Sequence, residues 1–434
     1  MAGINVKRTF VFLYSKLNIG GIETSLMKMI GAYKDLNVRI IWLKSRTDIK
    51  TFEPWEEKLR LYDVEIINVK INRNNFIFCE GLEFNSDEEI FATAFDPLDY
   101  IRLRIILSRF KNRFNCYYIV PHFCGAFNYI EEYFLLNRWS IKKQLSKYYQ
   151  NWYARGNLLF FSKRHQEEMF RRYKVPCLGD NEKLIQLPEK YLFFDATKQS
   201  KRALRENFKI ITCGRFDFPH KAYMFGLIDT YQKLKVEFPN LSLDIVGYGI
   251  HENAIRSYVE HLPPDIKKDI SFKGAVDPID DMYKLYDKAH VNISVAGALV
   301  DGAKTGLVSL NCRHYSHSCE VYGWLSKDNG YDLRSDKGEN VEKYIRALMS
   351  MSDDEYIDKC RLSFGAVKDL PCDPMWLFTQ KTEQYEDQEE NKFFEKIFWH
   401  KVFRTKIYEF FKKIYIVNKF DIAHNGILER FIKH

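Results

Sequence analysis

Two cations stand six residues apart where an apolar run ends: Cys213-Gly-Arg215-Phe-Asp-Phe-Pro-His-Lys221. Arginine offers a planar fork to phosphate oxygens and lysine a point charge. A helix opening after Lys221 would add the positive end of its dipole. Held over one crevice these groups bind a diphosphate; left on a loop they are two solvated cations. Backbone that can approach such a ligand closely follows in Gly247-Tyr-Gly249, Phe272-Lys-Gly274 and Gly297-Ala-Leu-Val-Asp301-Gly-Ala-Lys-Thr-Gly306. Gly247-Tyr-Gly-Ile-His-Glu252 lacks the third glycine of a dinucleotide fingerprint, which argues against NAD. Earlier in the chain, Gly20-Gly21 precedes Glu23, and His122 follows a strand-like run. Glu23 either faces a cleft or favours a helix N-terminus by charge–dipole attraction. His122 either orients a hydroxyl or is a structural histidine at a strand end. Cys312-Arg-His314-Tyr-Ser-His317-Ser-Cys319 has the spacing C-x-H-x2-H-x-C, unlike the paired ligands of structural zinc sites. It reads as an ordinary loop, and no metal is expected. No D-x-D occurs anywhere in the chain.

These residues need a scaffold. Thr9–Tyr14 reads as a buried strand, followed by the glycine turn, a helical period over Glu23–Ile30 and a second strand at Val38–Leu43. Strand, glycine turn, helix and strand is the mark of a βαβ unit with a parallel sheet. Tyr117–Val120 and Asn157–Phe161 add strands. A second series starts after a polar stretch: strands at Lys209–Cys213, Leu241–Val246, Ile270–Gly274 and Val291–Val295, with a helix at Tyr223–Lys235. The chain therefore reads as α/β with two Rossmann-like domains facing across a cleft. The expected domains are 1–190 and 205–375, with a separate tail at 391–434. Ligands in such folds bind at the carboxyl ends of the strands, where the glycine loops lie.

Length and charge bound the rest. The chain has 434 residues, enough for two or three domains. Lys plus Arg is 66 and Asp plus Glu is 58, so the net charge of +8 is too mild to argue for nucleic acid. Nine scattered cysteines without C-x-x-C point to reduced thiols in a cytosolic compartment. No apolar stretch suits a signal peptide or a membrane span. The expected location is the cytoplasm, peripheral at the inner face of a membrane. Two acid-free basic stretches, Arg102–Arg113 and Arg138–Arg155, support that contact. The second interleaves its cations with Trp139, Tyr148, Tyr149, Trp152 and Tyr153, which suits an anionic surface or solvated helix faces with buried aromatic sides. Residues 391–434 hold ten Lys or Arg, four Asp or Glu and eleven aromatics. Phe403, Ile407, Phe410, Phe411 and Ile414 fall on one helical face, the pattern of an interfacial helix or of a terminal helix packed on the protein.

Taken in order, the motifs resemble the retaining nucleotide-sugar glycosyltransferases of family 4, with the GT-B fold. Gly20-Gly-Ile-Glu23 is similar to the family's G-G-x-E loop. Gly214-Arg215 with Lys221 resembles its diphosphate-binding Arg and Lys. Asp-Ile-Val-Gly-Tyr-Gly (244–249) and Ile270-Ser-Phe-Lys-Gly-Ala-Val276 match two further stretches, the latter near the nucleobase. Asp301-Gly-Ala-Lys-Thr-Gly306 resembles the second half of the E-x7-E motif. The first Glu of that motif is missing, since Ile293 stands eight residues before Asp301. The resemblance spans about residues 9–380 and implies a metal-independent transferase with no cofactor beyond its donor substrate.

It implies these roles: Gly20, Gly21, Gly214, Arg215, Lys221, Gly247, Gly249, Gly274 and Asp301 bind the nucleotide-sugar, Asp301 through ribose hydroxyls. Arg215, Lys221 and His122 serve catalysis, and Glu23 and His122 lie on the acceptor side. The acceptor would be a lipid-linked or lipopolysaccharide-type glycan in bacterial surface polysaccharide synthesis. The rival readings are a sugar epimerase of the same fold and a nucleotide-sugar-binding scaffold without transferase activity.

Overall fold

The computed structural model describes residues 7–45, 50–71, 77–121, 138–190, 192–203, 207–331, 336–385, 387–394 and 396. The chain divides into two units. One holds residues up to Asn18, Ser25–Pro188 and the chain from Pro371; the other holds Ile19–Thr24 and Glu189–Leu370.

The first unit is built on a seven-stranded sheet of β1 (Lys7–Tyr14), β2 (Arg39–Lys44), β3 (Glu65–Ile71), β4 (Ile77–Cys79), β5 (Glu88–Ala94), β6 (Phe114–Val120) and β7 (Leu158–Phe160). Their order is β4-β3-β2-β1-β5-β6-β7. All neighbours are parallel except β3 and β4, which form an antiparallel pair. Central β1 pairs with β2 and β5 at once, Val11 facing Ile41 on one side and Ala92 on the other. Phe10, Val11, Phe12 and Leu13 are fully buried, as a strand covered on both faces requires. The helix Pro97–Leu107 starts where Asp96 accepts from the Leu98 amide at 2.8 Å and Pro97 fills the first turn.

Three of the aromatic residues among the cations of Arg138–Arg155 are not on a surface. On the helix Arg138–Ala154, Tyr148, Tyr149 and Trp152 are buried, while Lys142, Lys143 and Lys147 are exposed. Tyr149 and Trp152 pack against Tyr118, and Trp152 meets Tyr100 edge-on at 4.6 Å. Of the two readings open for this stretch, these three rings follow the second: exposed cations with the aromatic side buried. A helix against a sheet must bury one face, and here the rings are that face.

The chain returns to this unit after Pro371. Phe378 inserts between Tyr33 and Phe91, with ring centroids at 4.7 and 5.0 Å. Tyr117 donates to the Gln380 carbonyl at 2.9 Å. Arg104, from the other basic stretch, is buried rather than solvated. Its guanidinium meets the Glu390 carboxylate at 2.5 Å and donates to the Tyr385 carbonyl at 2.7 Å. Trp152 Nε1 and the Tyr385 hydroxyl donate to the same carboxylate at 3.0 Å each. Burial lifts the Glu390 carboxyl above its ordinary range, and Arg104 and the hydrogen bonds pull it back. Phe393 and Phe394, at the start of the expected tail, pack on the same core. Phe403, Ile407, Phe410, Phe411 and Ile414 lie outside the described residues. Among the described residues, no helix is long and apolar enough to cross a membrane.

The second unit has seven strands in the order β10-β9-β8-β11-β12-β13-β14. They are β8 (Lys209–Cys213), β9 (Ser242–Val246), β10 (Ile270–Gly274), β11 (Val291–Ser294), β12 (Val308–Cys312), β13 (Glu320–Trp324) and β14 (Glu339–Asn340). β8 to β12 are parallel, and β13 and β14 run antiparallel at the edge. The helix Tyr223–Glu237 buries Tyr223, Met224, Leu227, Ile228, Tyr231 and Leu234 against the sheet. The chain winds from β8 outward to β10 and then restarts beside β8 with β11. A crevice opens at the carboxyl ends of two strands wherever the winding reverses in this way.

Removing one partner of a buried ion pair costs more than removing both. Glu390→Ala, which strands the Arg104 charge, is expected to destabilise the first unit by about 3 kcal/mol or more. The Arg104→Met, Glu390→Leu double variant should lose much less. Denaturant midpoints of the two proteins check this.

Candidate functional site

The site lies at the carboxyl ends of β8 and β9. Both strands are followed by glycine, and the loops beyond them lock through the backbone. The Gly214 amide donates to the Val246 carbonyl at 3.0 Å, and the Phe216 amide to the Tyr248 carbonyl at 2.9 Å. The Gly247 amide in turn donates to the Gly274 carbonyl at 2.9 Å, tying in the end of β10. Gly247 and Gly249 have φ of 151° and 158°. A Cβ at Gly247 would overlap the Gly214 carbonyl oxygen, and one at Gly249 would come within 2.6 Å of the Phe216 carbonyl oxygen. The second loop can approach the first this closely only because it carries no side chain at either contact.

This lock aims the loop 214–221. Arg215 is exposed on it, and Lys221 is half-buried at its end. The Lys221 amide donates to the Asp217 carbonyl at 3.1 Å, closing the loop before the helix Tyr223–Glu237 begins. The Lys221 stem lies along Gly214, where an added Cβ would meet it in ordinary van der Waals contact. Burial pushes the Lys221 ammonium down to about 8, the Cys213 thiol pulls it up, and Arg215 pushes it further down. Burial likewise pushes the Cys213 thiol up to about 12, with Lys221 opposing and Asp301 adding to the shift. Arg215, Lys221 and Asp301 thus converge electrostatically around the end of β8.

Asp301 sits on the helix Ala296–Lys304, which follows β11 after the single residue Val295. Ala296, the first residue of that helix, has φ of 54°. A non-glycine residue in this region costs of order 1–3 kcal/mol and turns the chain abruptly into the helix. The Ser294 hydroxyl accepts from the Cys213 amide at 3.0 Å and donates to Asn292 Oδ1 at 2.7 Å. Asn292 Nδ2 donates to the Ala298 carbonyl at 2.9 Å. A polar chain therefore fixes the helix relative to the end of β8. Asp301 is 8% exposed. Ile293 is fully buried in the sheet core.

The segment Ile19–Thr24 belongs to this unit by its contacts. Tyr248, between the two loop glycines, holds it: its hydroxyl accepts from the Ile19 amide at 3.0 Å and donates to the Ile19 carbonyl at 3.2 Å. Burial lifts that hydroxyl above its usual range, the Ile19 hydrogen bond opposing, so Tyr248 stays neutral in both roles. Glu23 is buried, and its carboxylate folds back over Gly20 at the start of the helix Gly21–Asp35. Both a helix-end role and electrostatic reach to Tyr248 follow from that pose.

The structure therefore gathers Gly20, Gly21, Glu23, Gly214, Arg215, Lys221, Gly247, Gly249, Gly274 and Asp301 in one unit. His122 lies outside the described residues. Tyr248 and Ser294 escaped sequence reasoning; the one signal for Tyr248 was its place between two glycines. Cys312 and Cys319 face each other at 3.9 Å across β12 and the start of β13, while the His317 ring stacks on Phe225. Among the described residues, no group of three or more His, Cys, Asp or Glu could hold a metal ion. The arrangement offers two cations beside close-packed backbone, with a carboxylate on the next helix. Chemically it can neutralise a diphosphate and accept hydrogen bonds from a diol.

No family model matches the chain, and a search of curated proteins finds no match. Solved structures do match in fold. A glycosyltransferase from Rickettsia africae superposes with a TM-score of 0.53 at 13% identity, over 90% of this chain and 99% of its own. HepE of Anabaena, in complex with UDP-glucose, gives 0.52 at 12% identity, over 85% and 96%. TarM of S. aureus gives 0.50 at 9% identity, over 91% and 100%. The chain has the GT-B α/β fold of these glycosyltransferases.

Two outcomes test the geometry. Gly247→Ala should lower the melting temperature by several degrees, since neither its φ nor the Gly214 carbonyl leaves room for a methyl group. Lys221 works against folding while it is charged: its proton is held less tightly in the native state than in the unfolded chain. The unfolded chain thus binds more protons between about pH 8 and the ordinary lysine range, and stability from this group rises across that window. Lys221→Met should therefore melt higher than wild type at pH 7. The gap should close as pH rises past 8 toward 10 in parallel melting curves.

Proposed function

We propose that the chain is a retaining, metal-independent glycosyltransferase of family 4. It moves a hexosyl group from a nucleotide-sugar to a glycan acceptor. The observation that carries this reading is the pair Arg215 and Lys221 on a loop that glycine contacts lock at the end of β8. Departure of a nucleoside diphosphate develops negative charge on its β-phosphate. Cations already fixed there stabilise that charge without reorganising. Arg215 would take phosphate oxygens in a fork and Lys221 would supply a point charge. Asp301 would accept from the ribose hydroxyls, and the backbone at Gly274 would lie near the base. Glu23 and His122 belong to the acceptor side. The price of holding Lys221 desolvated makes sense if an anionic ligand repays it.

HepE, which shares the fold, is described with UDP-glucose, so a UDP-sugar is the first donor to try. The acceptor we propose is a growing bacterial surface polysaccharide or lipopolysaccharide-type glycan on a lipid. The enzyme would work from the cytoplasm, peripherally at the inner face of the membrane. The exposed Lys142, Lys143 and Lys147 support contact with an anionic surface. The tail at 391–434 would add to it.

A second reading has a specific observation behind it. Ile293, where the family carries the first Glu of its motif, is buried among core residues. Its neighbours leave a single residue before the Asp301 helix. A protein that binds nucleotide-sugar but transfers nothing would lack a sugar-positioning carboxylate in this way. A product assay with and without acceptor separates transfer, acceptor-independent epimerisation and binding alone.

The primary test is thermal stabilisation by UDP, GDP, ADP, CMP and their common sugars, with and without EDTA. A ligand that binds only the native state raises the melting temperature by mass action. One nucleotide family should raise it, unaffected by EDTA. Arg215→Ala and Lys221→Ala should each weaken that binding roughly tenfold or more, the range for hydrogen bonds to charged groups. Full transfer activity in both variants would end the proposal.

A further inference from the structure

Asp301 shares a buried neighbourhood with Lys304 and Glu189. The Lys304 ammonium lies 2.5 Å from Glu189 Oε1 and 3.6 Å from Asp301 Oδ1. The three side chains are 5%, 3% and 12% exposed respectively. Asp301 and Lys304 are one helical turn apart on Ala296–Lys304, a spacing at which an exposed pair closes freely. Here Glu189, the first residue of the second stretch of this unit, holds the ammonium in the other direction. At 3.6 Å Lys304 gives Asp301 its positive field but no hydrogen bond, and so takes none of its acceptor sites. The same stretch also grips the end of the helix: Gln199 Nε2 donates to the Thr305 carbonyl at 3.1 Å. Its Arg202 donates to the Tyr286 carbonyl at 2.9 Å, and the Tyr286 hydroxyl donates to the Ala298 carbonyl at 2.8 Å.

Two carboxylates and one ammonium so deeply placed are costly unless each is paired, and a single exchange upsets the balance. We propose that Lys304 and Glu189 are positioning residues. Together they hold Asp301 as an ionised acceptor aimed at a ribose diol, making the site selective for ribonucleotides. This rests on the nucleotide-sugar reading of the same site. Without Lys304, Asp301 faces Glu189 as a like charge and gives up its strength as an acceptor. Without the Glu189 charge, Lys304 closes onto Asp301 and occupies the oxygen meant for the ligand. Either change should fall on the ribose hydroxyls and spare the diphosphate.

The test compares affinities of UDP, GDP and ADP with those of their 2′,3′-dideoxy counterparts, by calorimetry on the full chain. Wild type should prefer the ribonucleotide roughly tenfold or more, as expected for hydrogen bonds to a charged acceptor. Lys304→Met and Glu189→Gln should each cut that ratio at least about threefold while leaving dideoxy affinity within about twofold. Lys304→Arg, which keeps the charge, should restore most of it. Glu189→Gln changes no volume, so it decides the matter if Lys304→Met fails to fold. An unchanged ratio in folded variants, beside a selective wild type, overturns the positioning role alone. A wild type that binds both forms equally overturns the ribose role of Asp301 and this proposal with it. A wild type that binds no nucleotide overturns the nucleotide-sugar reading itself.

Discussion

The Gly214 carbonyl fits into the space where Gly247 has no side chain, and much of the second unit's upper surface follows from that contact. It keeps the loops after β8 and β9 within hydrogen-bonding distance of each other beyond the sheet. The Phe216 amide then finds the Tyr248 carbonyl, and the His251 amide finds the Phe216 carbonyl. Arg215 stays exposed beside this ladder, and Lys221 is half-buried at the end of the loop. Tyr248, between the two glycines, sends its hydroxyl to Ile19. The loop that carries the cations and the tyrosine that holds the N-terminal glycine segment meet at one backbone contact that a single methyl group would break.

Charge is handled differently in the two units. Around β8 Lys221 has a weakened hold on its proton and, among the described residues, no carboxylate in an ion pair with it, an arrangement that costs stability and favours an anionic ligand. In the first unit the buried Arg104 is matched in full, by Glu390 and by carbonyl and ring contacts with Tyr385, at 3.9 Å to that ring. The first pattern suits a binding site and the second suits structure. Lys304 stands between these cases, paired with one carboxylate and held short of another.

Much of this was legible locally. Apolar runs followed by glycine marked the strands that carry the candidate site, because buried parallel strands need continuous apolar sequence and closely packed loops need bare backbone. The strand Glu88–Ala94 was not legible in this way. It begins with two acidic residues, and its place in the centre of the sheet comes from pairing with β1 and β6. The aromatic-rich basic stretch left two readings open for a related reason. Spacing showed aromatics beside cations on one helix, but not which side would meet the sheet.

The sequence by itself determined the alternation of strand and helix, the two series of strands, and the cations and glycines at the strand ends. Short-range sterics and periodicity decide such features, and they act within a few residues. Only the tertiary structure decided which charges are buried and with whom. Arg104 finds Glu390 across 286 positions and Lys304 finds Glu189 across 115. Whether a charge is solvated, matched or left short of a partner depends on everything packed around it. That surrounding exists only once the sheets have assembled.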